Sequence, residues 1–140
     1  MSTGIEAFDR SLQLTDPWLE DLMTRLGTGD RHFACLPLRT TRHALRDRLT
    51  VDETAHLSAQ LPMLIRGFYY EGWHPAGKPL EEHAKEAFLA PVAAEAHALG
   101  LDPEPAARAV FGLLAARITA GEIEDVKRVL PGPVRELWPA

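Results

Sequence analysis

The sequence predicts an all-α fold of eight helices in one domain of 140 residues. Three observations predict it. Apolar residues recur at three- and four-residue spacing in segment after segment, as a helix with one buried face requires. Start and stop signals (Asp-Pro, T-x-x-E, a closing glycine) punctuate those segments. Strand-like alternation occurs nowhere in the chain.

Each element follows from local chemistry. Asp16-Pro17 reads as an N-cap with a first-turn proline, and Leu19, Leu22, Met23 and Leu26 carry an apolar face to Gly27. Residues 1–15 are then an N-terminal arm. A second helix is expected over about Phe33–Leu49, through Leu38 and Leu45. Thr50 and Glu53 form a capping box, in which hydroxyl and carboxylate satisfy orphan amides, and open a third helix to Leu61. Pro62 opens a fourth through Met63, Leu64, Ile65, Phe68 and Tyr69, with Phe68 and Tyr69 expected in the core. "EGWHPAGKP" breaks the pattern with two glycines and two prolines. A fifth helix is expected over Leu80–Leu99, stopped by Gly100. Asp102-Pro103 starts a sixth, carried by Ala107, Val110, Phe111 and Leu114. Thr119 and Glu122 repeat the capping box. Leu130-Pro131 leads to a short last segment through Val134, Leu137 and Trp138.

The halves match residue by residue. "LRDRLTVDETAHLSAQLPMLIRGFY" (45–69) lies over "LAARITAGEIEDVKRVLPGPVRELW" (114–138) without a gap, with seven identities in 25 positions. The pairs Arg48/Arg117, Thr50/Thr119, Glu53/Glu122, Leu61/Leu130, Pro62/Pro131 and Arg66/Arg135 all fall at helix ends or corners. An internal duplication is expected, with four-helix repeats over about 16–73 and 80–138.

Composition bounds the function. Hydrophobic residues are 46%, charged residues 25% and net charge −5, globular values with no basic stripe to neutralise phosphates, which argues against a nucleic-acid partner. Cys35 is the sole cysteine, so neither an internal disulfide nor a cysteine-rich zinc site can form. The opening "MSTGIEAFDRSLQLTD" has neither the basic flank nor the apolar run of a signal peptide, and no window approaches the ~18 apolar residues that span a membrane. A cytoplasmic location is expected.

"FDRSLQLTDPWL", "HALRDRLTVDE", "AQLPMLIRGFYYEGW", "GEIEDV" and the late "LW" together resemble DUF2267, a bacterial domain of unknown function. The resemblance covers nearly the whole chain. It implies an all-α, soluble, prokaryotic protein and supplies no catalytic residues. One departure is visible: the family pattern resembles "LRAVLHALRDRL" where this chain has "LRTTRHALRDRL". The internal match agrees, placing Thr41 and Arg42 opposite Val110 and Phe111. Either a neighbouring element has withdrawn from this helix, or Arg42 snorkels to water with its stem on the core.

Features present in both halves are first explained by the fold. Arg66 and Arg135, each behind a Leu-Pro corner, are expected to bond helix-end carbonyls or an acidic neighbour such as Glu53 or Glu122; two converging arginines would instead make an anion site. Arg46 has no counterpart in the second half. Nor do Tyr70, Trp73 and His74. Rings beside Gly and Pro suit a binding patch, and equally a plug between the halves.

Catalytic machinery is not legible. The six histidines are scattered, without the H-x-x-x-H or E-x-x-H spacing of metal sites, and no nucleophile elbow, phosphate loop or dinucleotide fingerprint occurs. Cys35 lies in the apolar "FACLPL" and reads as core. No catalytic residue, metal ligand or cofactor is assigned; metal binding through His43 and His56 is the weakest reading. The expectation is a regulatory or interaction module offering a groove between its two halves, with Arg66, Tyr70 and Trp73 on the rim and His74 among the binding residues, taking a protein partner, a second copy of itself included. The alternative is a small-molecule or anion-binding protein, conceivably a weak enzyme, with a pocket of Arg46, Gln60, Arg66 and Tyr70.

Overall fold

The computed structural model describes residues 2–76, 84–98 and 100–139, and every regular element among them is a helix. α1 spans Glu6–Leu26, α2 Arg31–Arg46, α3 Val51–Ser58, α4 Met63–Tyr70, α5 Lys85–Ala98, α6 Pro103–Arg117, α7 Ala120–Val129 and α8 Gly132–Arg135.

α1 overturns the expected start at Asp16-Pro17. It begins at Glu6 and runs through Pro17, so most of the expected arm is helix. The entry is fixed further upstream, where Thr3 donates from its amide (2.8 Å) and hydroxyl (2.9 Å) to the Asp9 carboxylate. Those bonds hold the Asp9 carboxyl below its ordinary range. A proline inside a helix deletes one backbone bond and crowds the preceding turn, at about 3 kcal/mol. Pro17 faces solvent, where water can reach the freed carbonyl, while Trp18 and Leu22 bury the opposite face. The helix closes as expected on Gly27, at φ 73°, a left-handed residue that lets the Thr28 amide return to the Met23 carbonyl at 3.0 Å.

The other boundaries shift less. α2 starts at Arg31, ahead of the expected Phe33, because the Asp30 side chain accepts from the His32 and Phe33 amides. It ends at Arg46, and Arg48 and Leu49 continue in tighter i to i−3 turns. The expected Leu80 start of α5 and its Leu99 end lie outside the described residues. α6 opens at Pro103 as the Asp-Pro signal predicts.

Both T-x-x-E signals are helix starts, but only the hydroxyl half of each expected box forms: the Thr119 amide bonds Gln60, not Glu122. The Thr50 hydroxyl accepts from the Glu53 amide at 3.1 Å and the Thr119 hydroxyl from the Glu122 amide at 3.4 Å. The two Leu-Pro corners are fastened alike. Arg66 donates from Nε to the Ser58 carbonyl and from Nη2 to the Leu61 carbonyl, both at 2.9 Å. Arg135 donates from Nε to Lys127 and from Nη2 to Leu130, both at 2.8 Å. Each arginine serves carbonyls that a helix end leaves without an amide.

α2 packs against α5, α1, α6 and α4, and α6 against α1 and α5, while α3 lies on α7. One cluster of buried residues runs through all eight helices, including Leu22, Leu45, Ile65, Phe88, Phe111 and Val134. Phe111 stacks on Trp138 with centroids 4.3 Å apart. Thr41 and Arg42 belong to this interior, at 0% and 1% exposure. Neither explanation offered for them holds: α2 has kept its neighbours, and Arg42 does not reach water. Cys35 is half-buried rather than core. No described helix is long and apolar enough to cross a membrane.

Candidate functional site

α4, "MLIRGFYY", is apolar on nearly every side, so a single core cannot cover it. Ile65 and Tyr69 turn inward, whereas Met63, Leu64 and Phe68 remain 63%, 40% and 36% exposed. The expectation that Phe68 fills the core is therefore corrected. Its register is not optional, because α2 grips the C-terminal end of α4.

That grip is a row of arginines, with His43 among them, on one face of α2. Arg42 donates to Leu38 (2.8 Å) in its own helix and to Ile65 (2.5 Å) in α4. His43 Nε2 donates to the Phe68 carbonyl at 2.6 Å. Arg46 donates from Nη1 to the carbonyls of Tyr69 (2.9 Å) and Glu71 (2.7 Å) and from Nε to Asp47. Arg39 pairs with the Glu71 carboxylate. The carbonyl end of a helix carries partial negative charge and unpaired acceptors, so cations are its natural partners. Burial lowers the Arg42 guanidinium to about 10, which leaves it charged at neutral pH. Burial also pushes His43 below its usual range, with Arg46 and Arg42 adding repulsion, although the Phe68 carbonyl bond opposes the shift. A neutral imidazole with its proton on Nε2 fits that bond.

The six residues singled out by sequence fall into separate places. Arg66 and Tyr70 meet on Ser58: Arg66 binds its carbonyl, and the Tyr70 hydroxyl donates to Ser58 Oγ at 2.8 Å. Trp73 is half-buried with its ring 5.5 Å from that of Tyr70, and His74 is exposed. Arg46 is buried under the end of α4. Gln60 reaches the second half, where Nε2 donates to Thr119 Oγ1 (3.0 Å) and Oε1 accepts from the Thr119 amide (2.9 Å). Arg66 and Arg135 each bond the corner behind them rather than a shared anion. Two shallow hollows flank Met63. One is lined by Leu64, Gly67, Phe68, Tyr70 and Glu71, the other by Arg10, Ser11, Leu14, Leu61 and Arg66.

One constellation escaped the sequence reading. Glu53 and Glu122, the third residues of α3 and α7, meet across the α3–α7 contact. Each has one buried Oε1 without a hydrogen-bond partner. A like charge so close disfavours the ionised form of Glu122. Burial, then the neighbouring Glu53, raise Glu122 to about 7. The signal lay in the internal match, which pairs these glutamates; only packing shows that they touch. Among the described residues no group of three or more His, Cys, Asp and Glu could hold a metal ion.

Over residues 15–137 the sequence matches the family described as an uncharacterized conserved protein, DUF2267. The chain belongs to the DUF2267 family. No curated protein matches it. Within this DUF2267 chain, the stretches that carry the likeness coincide with joints of the fold. "HALRDRLTVDE" supplies His43 and Arg46 to the end of α4 and the Thr50 cap to α3, and "AQLPMLIRGFYYEGW" supplies the Arg66 corner and Tyr70.

Proposed function

We propose that this DUF2267 chain is an interaction module, built from two four-helix repeats, that docks a partner on the outward face of α4. The observation that carries the reading is the exposure of Met63, Leu64 and Phe68 on a helix whose orientation is locked by buried arginines. Holding three large apolar side chains in water has no folding benefit, and rigid apolar faces with a polar rim mark binding sites. Arg66, Tyr70 and Glu71 supply that rim, with Trp73 behind Tyr70. The repeat reading is supported by the matched corner bonds of Arg66 and Arg135. It is also supported by reciprocal ring contacts: Arg48 lies 5.3 Å from the Phe88 ring and Arg117 5.9 Å from the Trp18 ring. A cytoplasmic site of action fits the lone Cys35.

The small-ligand alternative has less support, since Arg46, Arg66 and Gln60 already bond protein carbonyls or Thr119. Affinity capture from a native lysate tests the reading. Leu64→Asp should keep the helical circular-dichroism signal and lose the captured partner, whereas Arg128→Asp, on α7, should retain it. Equal capture by wild type and a folded Leu64→Asp would sink the proposal.

A further inference from the structure

The docking face has a self-complementary layout. Apolar residues run along it, with Arg10 beside Met63 at the N-terminal end of α4 and Glu71 beside Phe68 at the other. Arg10 is exposed and makes no ion pair among the described residues. Near the middle of α4 sits Gly67. Glycine inside a helix costs about 1 kcal/mol relative to alanine, and nothing in the chain accounts for it here. A Cβ at Gly67 would meet no atom within 4 Å, and its φ is not positive. A missing side chain amid large apolar neighbours permits another helix backbone to come close.

We propose that the occupant of this face is a second copy of the chain, with two α4 helices packed antiparallel across a twofold axis at Gly67. An isologous contact sets the same patch against itself. The antiparallel arrangement places Arg10 of each copy against the second copy's Glu71. Apolar area is adequate for a reversible dimer. Leu14, Met63, Leu64 and Phe68, at 52%, 63%, 40% and 36% exposure, leave on the order of 350 Å² in water, taking about 150–250 Å² for a large side chain. Two copies would cover at most about 700 Å² of apolar surface, in keeping with the smaller, reversible class of interfaces.

This inference rests on the docking reading and is tested so that the two can fail separately. Sedimentation equilibrium of the full chain is measured up to about 1 mM, with circular dichroism as the check on folding. Wild type should show a monomer–dimer equilibrium that Leu64→Asp abolishes. Arg10→Glu and Glu71→Arg should each weaken it at least tenfold, and the double exchange should regain most of what Glu71→Arg lost. Because Arg39 repels the arginine introduced at position 71 in both the single and the double variant, that regain isolates the contact between copies. A wild type that stays monomeric throughout, or a dimer unaffected by a folded Leu64→Asp, overturns the inference. A monomer that still captures a lysate protein through α4 overturns it while leaving the docking reading intact.

Discussion

Glu122→Gln should make the protein more stable at alkaline pH and leave it unchanged at acid pH. In the native protein burial and the neighbouring Glu53 raise Glu122 to about 7, whereas in the unfolded chain it returns to the ordinary 4.5. The folded state thus holds its proton more tightly. The stabilisation is complete below the unfolded value and is lost as pH climbs through 7. Unscreened, such a shift is worth at most about 3 kcal/mol. The pair is only partly buried, and solvent screening reduces this to about 1 kcal/mol. Glutamine donates an amide hydrogen to the Glu53 carboxylate at every pH, so the variant escapes the loss. Melting temperatures of both proteins from pH 5 to 9 check this. The curves should coincide near pH 5 and separate by about 3–5 °C above pH 8. Groups such as His43, which destabilise the fold on the acid side, act on both proteins and cancel in the difference. A difference that is flat with pH would show that Glu122 is not raised by its contact with Glu53.

The remaining predictions concern the joints. Arg42→Ala should cost about 3–5 kcal/mol in urea unfolding, from a cavity and lost bonds to Leu38 and Ile65. Arg42→Met, which fills the space without a buried charge, should cost far less, within about 1 kcal/mol of wild type; equal losses would mean that the charge itself holds α4. Thr50→Ala should cost about 1 kcal/mol as a lost cap, and Thr119→Ala more, because Thr119 also receives Gln60. Gly67→Ala should raise the melting temperature of the monomer, since helix propensity improves by about 1 kcal/mol and the added methyl meets nothing.

Much of the fold was legible, for identifiable reasons. Threonine caps, closing glycines and Leu-Pro corners act within a few residues, so the sequence around Thr50, Thr119, Gly27 and Asp102-Pro103 specifies what the structure shows. Asp16-Pro17 misled because a proline is admissible both in the first turn and on the wet face of a longer helix. The deciding bonds, from Thr3 to Asp9, lie upstream of it. The site was harder. Arg42 is buried because carbonyls of α4 await it, Phe68 is exposed because those bonds fix α4, and Glu53 touches Glu122 only because α3 lies on α7. Each depends on a partner more than twenty residues away, beyond the reach of periodicity.

The distribution of these bonds separates residues 45–69 from the stretch 114–138 that matches them in sequence. Arg66 and Arg135 perform one task twice, closing a corner. Arg42, His43 and Arg46 perform a task that the second half lacks, since Phe111 and Ala115 stand opposite Arg42 and Arg46. α8 is accordingly a four-residue stub that buries Val134 and runs directly into Leu137 and Trp138, both buried. α4 is twice as long and is held at its far end by His43 and Arg46 of α2. Charge buried in a core is costly and is retained only where it is bonded. Here the bonded charge extends α4 beyond what packing alone needs and turns Met63, Leu64 and Phe68 outward. On this view the polar substitutions in α2 and the apolar face of α4 are a single feature. It makes a joint prediction: Arg42→Phe with Arg46→Ala, restoring the second-half residues, should fray α4 from its C-terminal end and weaken both docking and dimerisation while sparing α6, α7 and α8. Hydrogen exchange by residue would reveal this as lost protection confined to α4. Uniform loss across the core, or none, would refute the link.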